Sequence, residues 1–273
     1  MDKIIEYMLA EDEGFGDITS DAVVEKGKEI TAKIISKDEG ILAGMDIIRE
    51  VFEEYGIKVN FWLNDGCEIS KNDLLMSVAG DARTILLLER TVLNLSMRMS
   101  GVASTANHYV NLVKDYDVRV AGTRKTSPAI AKFDKYALGV GGADTHRFSL
   151  DDMVLIKDNH IVACGTPLEA LLKAKANVSF SKKIEIEVET LDDAIECVKN
   201  GADIVMLDNM SPDDVSEVID KLNELNIRQN SLIEVSGGIT EDTIEEYAKL
   251  GVDIISIGAL THSSRSLNFS MKF

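Results

Sequence analysis

The 273-residue chain is short of three things that would point to a stapled, nucleic-acid-binding or membrane protein. Its three cysteines, Cys67, Cys164 and Cys197, are odd in number, far apart and without a Cys-x-x-Cys pair. That excludes a disulfide framework or a zinc site of ordinary spacing and leaves reduced packing residues. Basic residues are few: 29 Lys and Arg stand against 47 Asp and Glu, a formal net charge of -18. Affinity for phosphate backbones and anionic membranes needs basic patches, so neither nucleic acid nor a membrane is expected as a partner. No apolar run reaches spanning length, and the start, Met1-Asp2-Lys3-Ile4-Ile5-Glu6, lacks the basic and apolar regions of a signal peptide, so a cytoplasmic protein is expected.

Familiar catalytic signatures are missing as well. There is no Walker loop and no recognisable Ser-His-Asp or Cys-His arrangement. Gly139-Val140-Gly141-Gly142-Ala143-Asp144 almost spells a dinucleotide fingerprint, but Asp144 stands where its third glycine belongs and no Rossmann unit surrounds it.

What is present is an ordinary globular composition, 45% hydrophobic and 28% charged, with a rhythm in its second half. From about residue 184 onward, an apolar strand, a capped helix and a glycine recur, the pattern of βα units and a parallel sheet. Strands are predicted at 184–189, 203–207, 231–235 and 252–257, and upstream at 118–121 and 153–156. Thr190 and Ser211-Pro212 read as helix starts. Residues 84–102 read as a long buried helix. Before them, strands at 30–35, 41–43 and 59–62 flank a helix at 45–54. The alternation of 267–273 predicts a strand that returns to this first layer. The chain therefore divides into a smaller α+β domain over 1–103, joined by 267–273, and an α/β domain over 104–266.

Three constellations carry chemistry. Arg119, Arg124, Lys125, Lys132, Lys135, Arg147 and Lys157, with His146 and His160, crowd into one stretch of an acidic chain. Arg124 and Lys125 follow one strand and Lys157 ends another, where α/β folds place their sites, so one cleft can collect them to hold an anion. In Ile184-Glu185-Ile186-Glu187-Val188-Glu189 the period of two sends the glutamates to one face, inward, where they need a cation or metal. Asp208, at the next strand's end, is their companion. Ser236-Gly237-Gly238 and Gly258-Ala259 supply turns able to cradle a phosphate.

The longer motifs resemble quinolinate phosphoribosyltransferase, the carboxylating nicotinate-nucleotide pyrophosphorylase family. They are Gly122-Thr123-Arg124-Lys125-Thr126-Ser127-Pro128, Gly141-Gly142-Ala143-Asp144-Thr145-His146-Arg147 and Leu155-Ile156-Lys157-Asp158-Asn159-His160. Glu13 to Thr19, Glu89-Arg90-Thr91, Leu207-Asp208-Asn209 and Gly258-Ala259-Leu260-Thr261 extend the likeness over nearly the whole chain. The resemblance implies an N-terminal α+β sandwich, an incomplete seven-stranded α/β barrel and a homodimer with a shared active site. It implies a reaction of quinolinate with phosphoribosyl pyrophosphate that yields nicotinate mononucleotide, pyrophosphate and carbon dioxide.

Residue by residue, the resemblance implies that Arg124, His146, Arg147 and Lys157, with Thr123 beside them, bind the quinolinate carboxylates. Arg90 matches an arginine delivered from the neighbouring subunit. Lys125, Glu187 and Asp208 match catalytic positions around the ribose, with Glu187 and Asp208 near a Mg²⁺ that accompanies the pyrophosphate. Ser236, Gly237, Gly238 and Gly258 match the cradle for the 5-phosphate. The chain departs from the pattern at Ala129-Ile130-Ala131, where many members have Gly-Leu-Arg, at Gly122, where aspartate is common, and at Thr145, where asparagine is. A phosphoribosyltransferase for another acidic aromatic acceptor and a non-catalytic phosphate- or nucleotide-sensing paralogue are the alternatives.

Overall fold

The computed structural model describes residues 2–273, which form two compact units. The first comprises the chain up to Asn107 with Thr126–Gly142 and Leu260–Phe273, and the second comprises His108–Lys125 and Ala143–Ala259.

The first unit opens with helix α1 (Lys3–Glu13), whose N-cap Asp2 accepts a hydrogen bond from the Ile4 N–H, and α2 (Ile18–Val23), capped by Asp17. Strands β1 (Glu29–Ser36) and β2 (Gly40–Ile41), helix α3 (Met45–Glu54), and strands β3 (Lys58–Trp62), β4 (Glu68–Ile69) and β5 (Leu74–Asp81) follow. β1 lies between β5 and the C-terminal strand Phe269–Lys272, antiparallel to both, so the predicted return of the chain end is present. α3 buries Met45, Ile48, Val51 and Phe52, the three-and-four spacing of one helix face. β5 is the longest strand that the sequence reading left out. Leu74-Leu75-Met76 breaks the alternation that marks a strand, yet β5 lies between β1 and β3 with Leu75, Met76 and Val78 buried.

Helix α4 (Ala82–Leu112) is longer than the predicted 84–102. Ser100 uses its hydroxyl both to accept from the Ala43 N–H and to donate to the Ala43 carbonyl. Gly101 is required by proximity: a Cβ there would lie 2.8 Å from Ser266 Cα. Helix α5 (Ala131–Val140) also belongs to this compact unit, although it follows the 103/104 division in the chain. Arg98 forks onto the buried Asp134 carboxylate at 3.0 and 3.1 Å, and Gly141 lets the end of α5 pack against Ala103 and Ala106. A buried carboxylate needs such a partner, and Arg98 holds it.

The second unit contains β6 (Arg119–Ala121), β7 (Val154–Ile156), α6 (Asp158–Cys164), α7 (Pro167–Asn177), β8 (Ile184–Val188), α8 (Leu191–Lys199), β9 (Ile204–Asp208), α9 (Pro212–Glu224), β10 (Leu232–Ser236), α10 (Ile244–Ala248) and β11 (Ile254–Ser256). The six strands pair in parallel in the order β6-β11-β10-β9-β8-β7. On the other edge of β6, Asp144 forms a single parallel bridge with Ala121. Asp144 thus stands where a further strand would extend the sheet beyond β6, and Asp144 and β7 share no bridge among the described residues. Thr190 and Ser211 cap α8 and α9 as predicted, each accepting from the N–H three residues on. Among the described residues, no helix is long and apolar enough to cross a membrane.

Candidate active site

The parallel register decides which side chains meet inside the sheet. Glu187 pairs with Met206, Ser236 with both Asp208 and Ser256, and Glu234 with Met206 and Ile254. Because side chains alternate along each strand, one set of polar residues shares one face of the sheet: Glu185, Glu187, Asp208, Glu234, Ser236 and Ser256. The aliphatic set, including Ile186, Val188, Leu207 and Val235, is buried on the other face.

A pocket of about 550 Å³ opens at the carboxyl ends of these strands. Its walls contain Thr123, Arg124, Lys125, His146, Arg147, Lys157, Glu187, Asp208, Ser236, Gly237 and Gly238 together. These are eleven of the residues expected from the sequence. Gly258 follows β11 and is half-buried, outside that wall. Arg90 is exposed on α4 in the first unit and is not among the residues of this pocket. A second hollow, about 650 Å³, opens at the amino ends of the strands, and His146 and Arg147 belong to both. The carboxyl-end pocket is the one with the chemistry, since it alone gathers strand-end cations, carboxylates and a glycine turn.

Within that pocket, Lys157 ends β7 and makes an ion pair with Glu187. Thr123 accepts a hydrogen bond from the Lys125 N–H at 3.0 Å, shaping the turn that carries Arg124 and Lys125. His160, grouped with the cations in the sequence, is used locally: its Nδ1 accepts from the Lys157 N–H at 2.9 Å and caps α6. Arg147 is buried, and burial followed by the neighbouring Arg124 charge lowers its pKa, opposed by Glu185 and Glu187. Two guanidiniums held this close favour an anion between them.

At the far side of the pocket the Asn209 side chain donates to Asp208 at 2.7 Å, and the Asn209 N–H donates to the Ser236 carbonyl at 2.9 Å. Gly237 has φ +94°, and a Cβ there would run into Asn209. The turn therefore needs glycine, and it leaves backbone exposed to a ligand. His146 was the least legible residue. Burial pushes its pKa down, but the two carboxylates set against the ring, Glu185 and Glu234, outweigh that and bring it up to about 10. The Arg147 N–H, however, donates to Nδ1 at 2.9 Å, which only an unprotonated Nδ1 can accept. The carboxylates favour a second proton on the ring, and the hydrogen bond from the Arg147 N–H keeps it off Nδ1. Both place a proton on Nε2. Glu234 is a residue the sequence reading missed, although its position two residues before Ser236 on one strand put it on the same inward face.

The pattern of a quinolinate phosphoribosyl transferase C-terminal domain matches residues 102–272, and that of the N-terminal domain matches residues 17–100. The chain belongs to the quinolinate phosphoribosyl transferase family. It is 49% identical to the probable nicotinate-nucleotide pyrophosphorylase (carboxylating) of Methanocaldococcus jannaschii, over 98% of this chain and 95% of that protein. It is 35% identical to the human nicotinate-nucleotide pyrophosphorylase (carboxylating), over 92% of this chain and 84% of the relative. The fold is that of NadC from Streptococcus pyogenes, whose crystal structure superposes with a TM-score of 0.92 at 36% identity, covering 99% of this chain and 95% of that one. Family membership gives the pocket its context: strand-end cations and inward carboxylates lie within the segment matched by the C-terminal domain pattern.

Proposed function

We propose that this chain is a decarboxylating quinolinate phosphoribosyltransferase, joining quinolinate to phosphoribosyl pyrophosphate and releasing pyrophosphate and carbon dioxide to give nicotinate mononucleotide. The observation that carries the reading is the sorting of charge within one pocket: Arg124, Arg147 and Lys157 are strand-end cations suited to a dicarboxylate, while Glu187, Asp208 and the 236–238 turn suit a sugar phosphate. Its carboxylating relatives agree with it.

In this reading Arg124, Arg147 and Lys157 orient the two carboxylates so that the pyridine nitrogen faces ribose C1. His146 stands behind them and Thr123 shapes the Arg124 turn. As the C1–pyrophosphate bond breaks, positive charge develops on the ribose, and Glu187 and Asp208 stabilise it electrostatically. Lys125 faces the departing phosphates. Ser236, Gly237, Gly238 and Gly258 hold the 5-phosphate through backbone N–H groups. The alkylated, cationic nitrogen then stabilises the electron pair left on the adjacent ring carbon as its carboxylate departs as carbon dioxide, and that carbon takes up a proton from solvent, so no protein nucleophile is needed. Glu187 and Asp208 are hard oxygen donors of the kind that suits Mg²⁺, and they would hold an ion arriving with the pyrophosphate. When bound, that ion neutralises charge on the leaving group. We further propose a cytoplasmic homodimer in which the exposed Arg90 serves the partner's pocket.

The test is direct. Purified protein with quinolinate, phosphoribosyl pyrophosphate and Mg²⁺ should form nicotinate mononucleotide, and nicotinate should not replace quinolinate. A folded protein that forms no product overturns the assignment, and turnover of another acidic aromatic instead moves it to a sister activity.

A further inference from the structure

Between the two hollows lies a buried knot of charge to which the proposed chemistry assigns no contact. His146 is at its centre, in a left-handed backbone conformation with φ 52°. A non-glycine residue holds that conformation only where its surroundings enforce it. Both ring nitrogens are engaged inside the protein. The Arg147 N–H donates to Nδ1 at 2.9 Å, and Nε2 lies 3.3 Å from Oε2 of Glu234 and 3.3 Å from Oε2 of Glu185. Both carboxylate side chains are fully buried. Ser256, itself buried, donates its hydroxyl to the other oxygen of Glu234. Neither oxygen of Glu185 has a hydrogen bond of its own, so the imidazole is the nearest donor to a carboxylate with no water to turn to.

The residues of this network come from β8, β10, β11 and the turn after Asp144. That turn has no strand of its own, since Asp144 is held by a single bridge. Arg147 follows His146 immediately and brings a buried guanidinium next to Arg124. A short turn carrying a cation against a like charge needs anchors: the His146 N–H donates to Asp144 at 2.7 Å and the Phe148 N–H to Asp152 at 2.9 Å, and the imidazole, set against two buried carboxylates, is the anchor that reaches into the sheet.

We propose that Glu234 and Glu185 are positioning residues for anion recognition: through His146 they hold the 145–147 turn, and with it Arg147, in the arrangement that receives the substrate carboxylates. The inference rests on the quinolinate reading above. It adds to the place of His146 in the pocket wall a second task, that of holding the turn. The same atoms of His146, Glu185 and Glu234 lie within 4.8 Å of one another, a spacing that a metal ion could also use. A metal on Nε2 would have to replace the proton that faces Glu234, so the two arrangements are distinguishable.

The experiment compares Glu234→Gln, His146→Gln and the double variant with the wild-type enzyme. Glu234→Gln should raise KM for quinolinate by about tenfold or more, with kcat and KM for phosphoribosyl pyrophosphate within about threefold. The double variant should be no more than about twofold worse than the worse single one, since residues acting through one another are not additive. Ser256→Ala, a gentler change, should shift the quinolinate KM in the same direction by about two- to fivefold, and it carries the test if Glu234→Gln does not fold. ¹⁵N-histidine spectra of the wild type, with the signal identified by its loss in His146→Gln, should show a proton on Nε2 and an acceptor Nδ1. Equal losses in kcat and in the phosphoribosyl pyrophosphate KM, additive single effects, an unprotonated Nε2, or a stoichiometric divalent ion in the dialysed wild type would each overturn the inference. Absence of any turnover by the wild type would instead sink the functional reading, while the histidine spectra would still decide the network.

Discussion

Removing Lys157 tests the carboxylate half of the pocket most sharply, because the same ammonium is already paired with Glu187 at the end of β7. Lys157→Ala deletes a charge-assisted contact to the substrate, which in a partly desolvated site contributes about 1.5–3 kcal/mol. That corresponds to a loss of about 10- to 150-fold in kcat/KM for quinolinate. It also strips Glu187, whose side chain is 11% exposed, of its counter-ion in a pocket that must accept a dianion. At an effective dielectric of about 20, like charges about 4 Å apart repel by about 4 kcal/mol, so the lower figure is a floor. Lys157→Arg keeps the charge and should recover a large part of the loss. Steady-state kinetics with each substrate varied in turn provide the assay. Quinolinate kcat/KM should fall by at least about tenfold while KM for phosphoribosyl pyrophosphate moves by less than about threefold. A change below about threefold for quinolinate, in a folded variant, would refute a direct role for Lys157.

Other outcomes follow from particular residues. Arg90→Ala and Lys125→Ala, each inactive alone, should regain partial activity when mixed under conditions that exchange subunits, and no recovery would count against a shared site. Gly101→Val should destabilise the protein by about 1–3 kcal/mol by overpacking against the 265–266 backbone, read as a lower melting temperature with kinetics of the surviving fold unchanged. Burial, then the charges of Asp193 and Glu196, push the Cys197 thiol up to about 12. Native protein at pH 8 should therefore leave Cys197 unalkylated, and denatured protein should react. The sign for stability follows: the shift costs nothing below the unfolded pKa of about 8.5, and favours unfolding progressively as pH rises from there towards the folded value. Ser211→Ala should cost about 1 kcal/mol through loss of the α9 cap, measurable by denaturant titration.

Much of the site was legible before any coordinates. Alternation in 184–189 placed Glu185 and Glu187 on one face, and strand ends placed Arg124, Lys125, Lys157 and Asp208 at one rim. Local rules were enough there, because strand period and strand end are properties of a few consecutive residues. β5 escaped the pattern because its apolar run serves a strand flanked on both sides, and the packing of α5 was not legible because its anchor, Arg98, is 36 residues away from Asp134.

Which residues can face a pocket, and what charges they bring, follows from period two, helix caps and residue chemistry, all local properties of the chain. Their pairing does not. Register sets Glu187 against Lys157 and Glu185 with Glu234 against His146, and a shift of one residue would have turned each of these side chains to the aliphatic face. Contacts between strands far apart in the chain depend on how the sheet closes, and no local pattern encodes that closure.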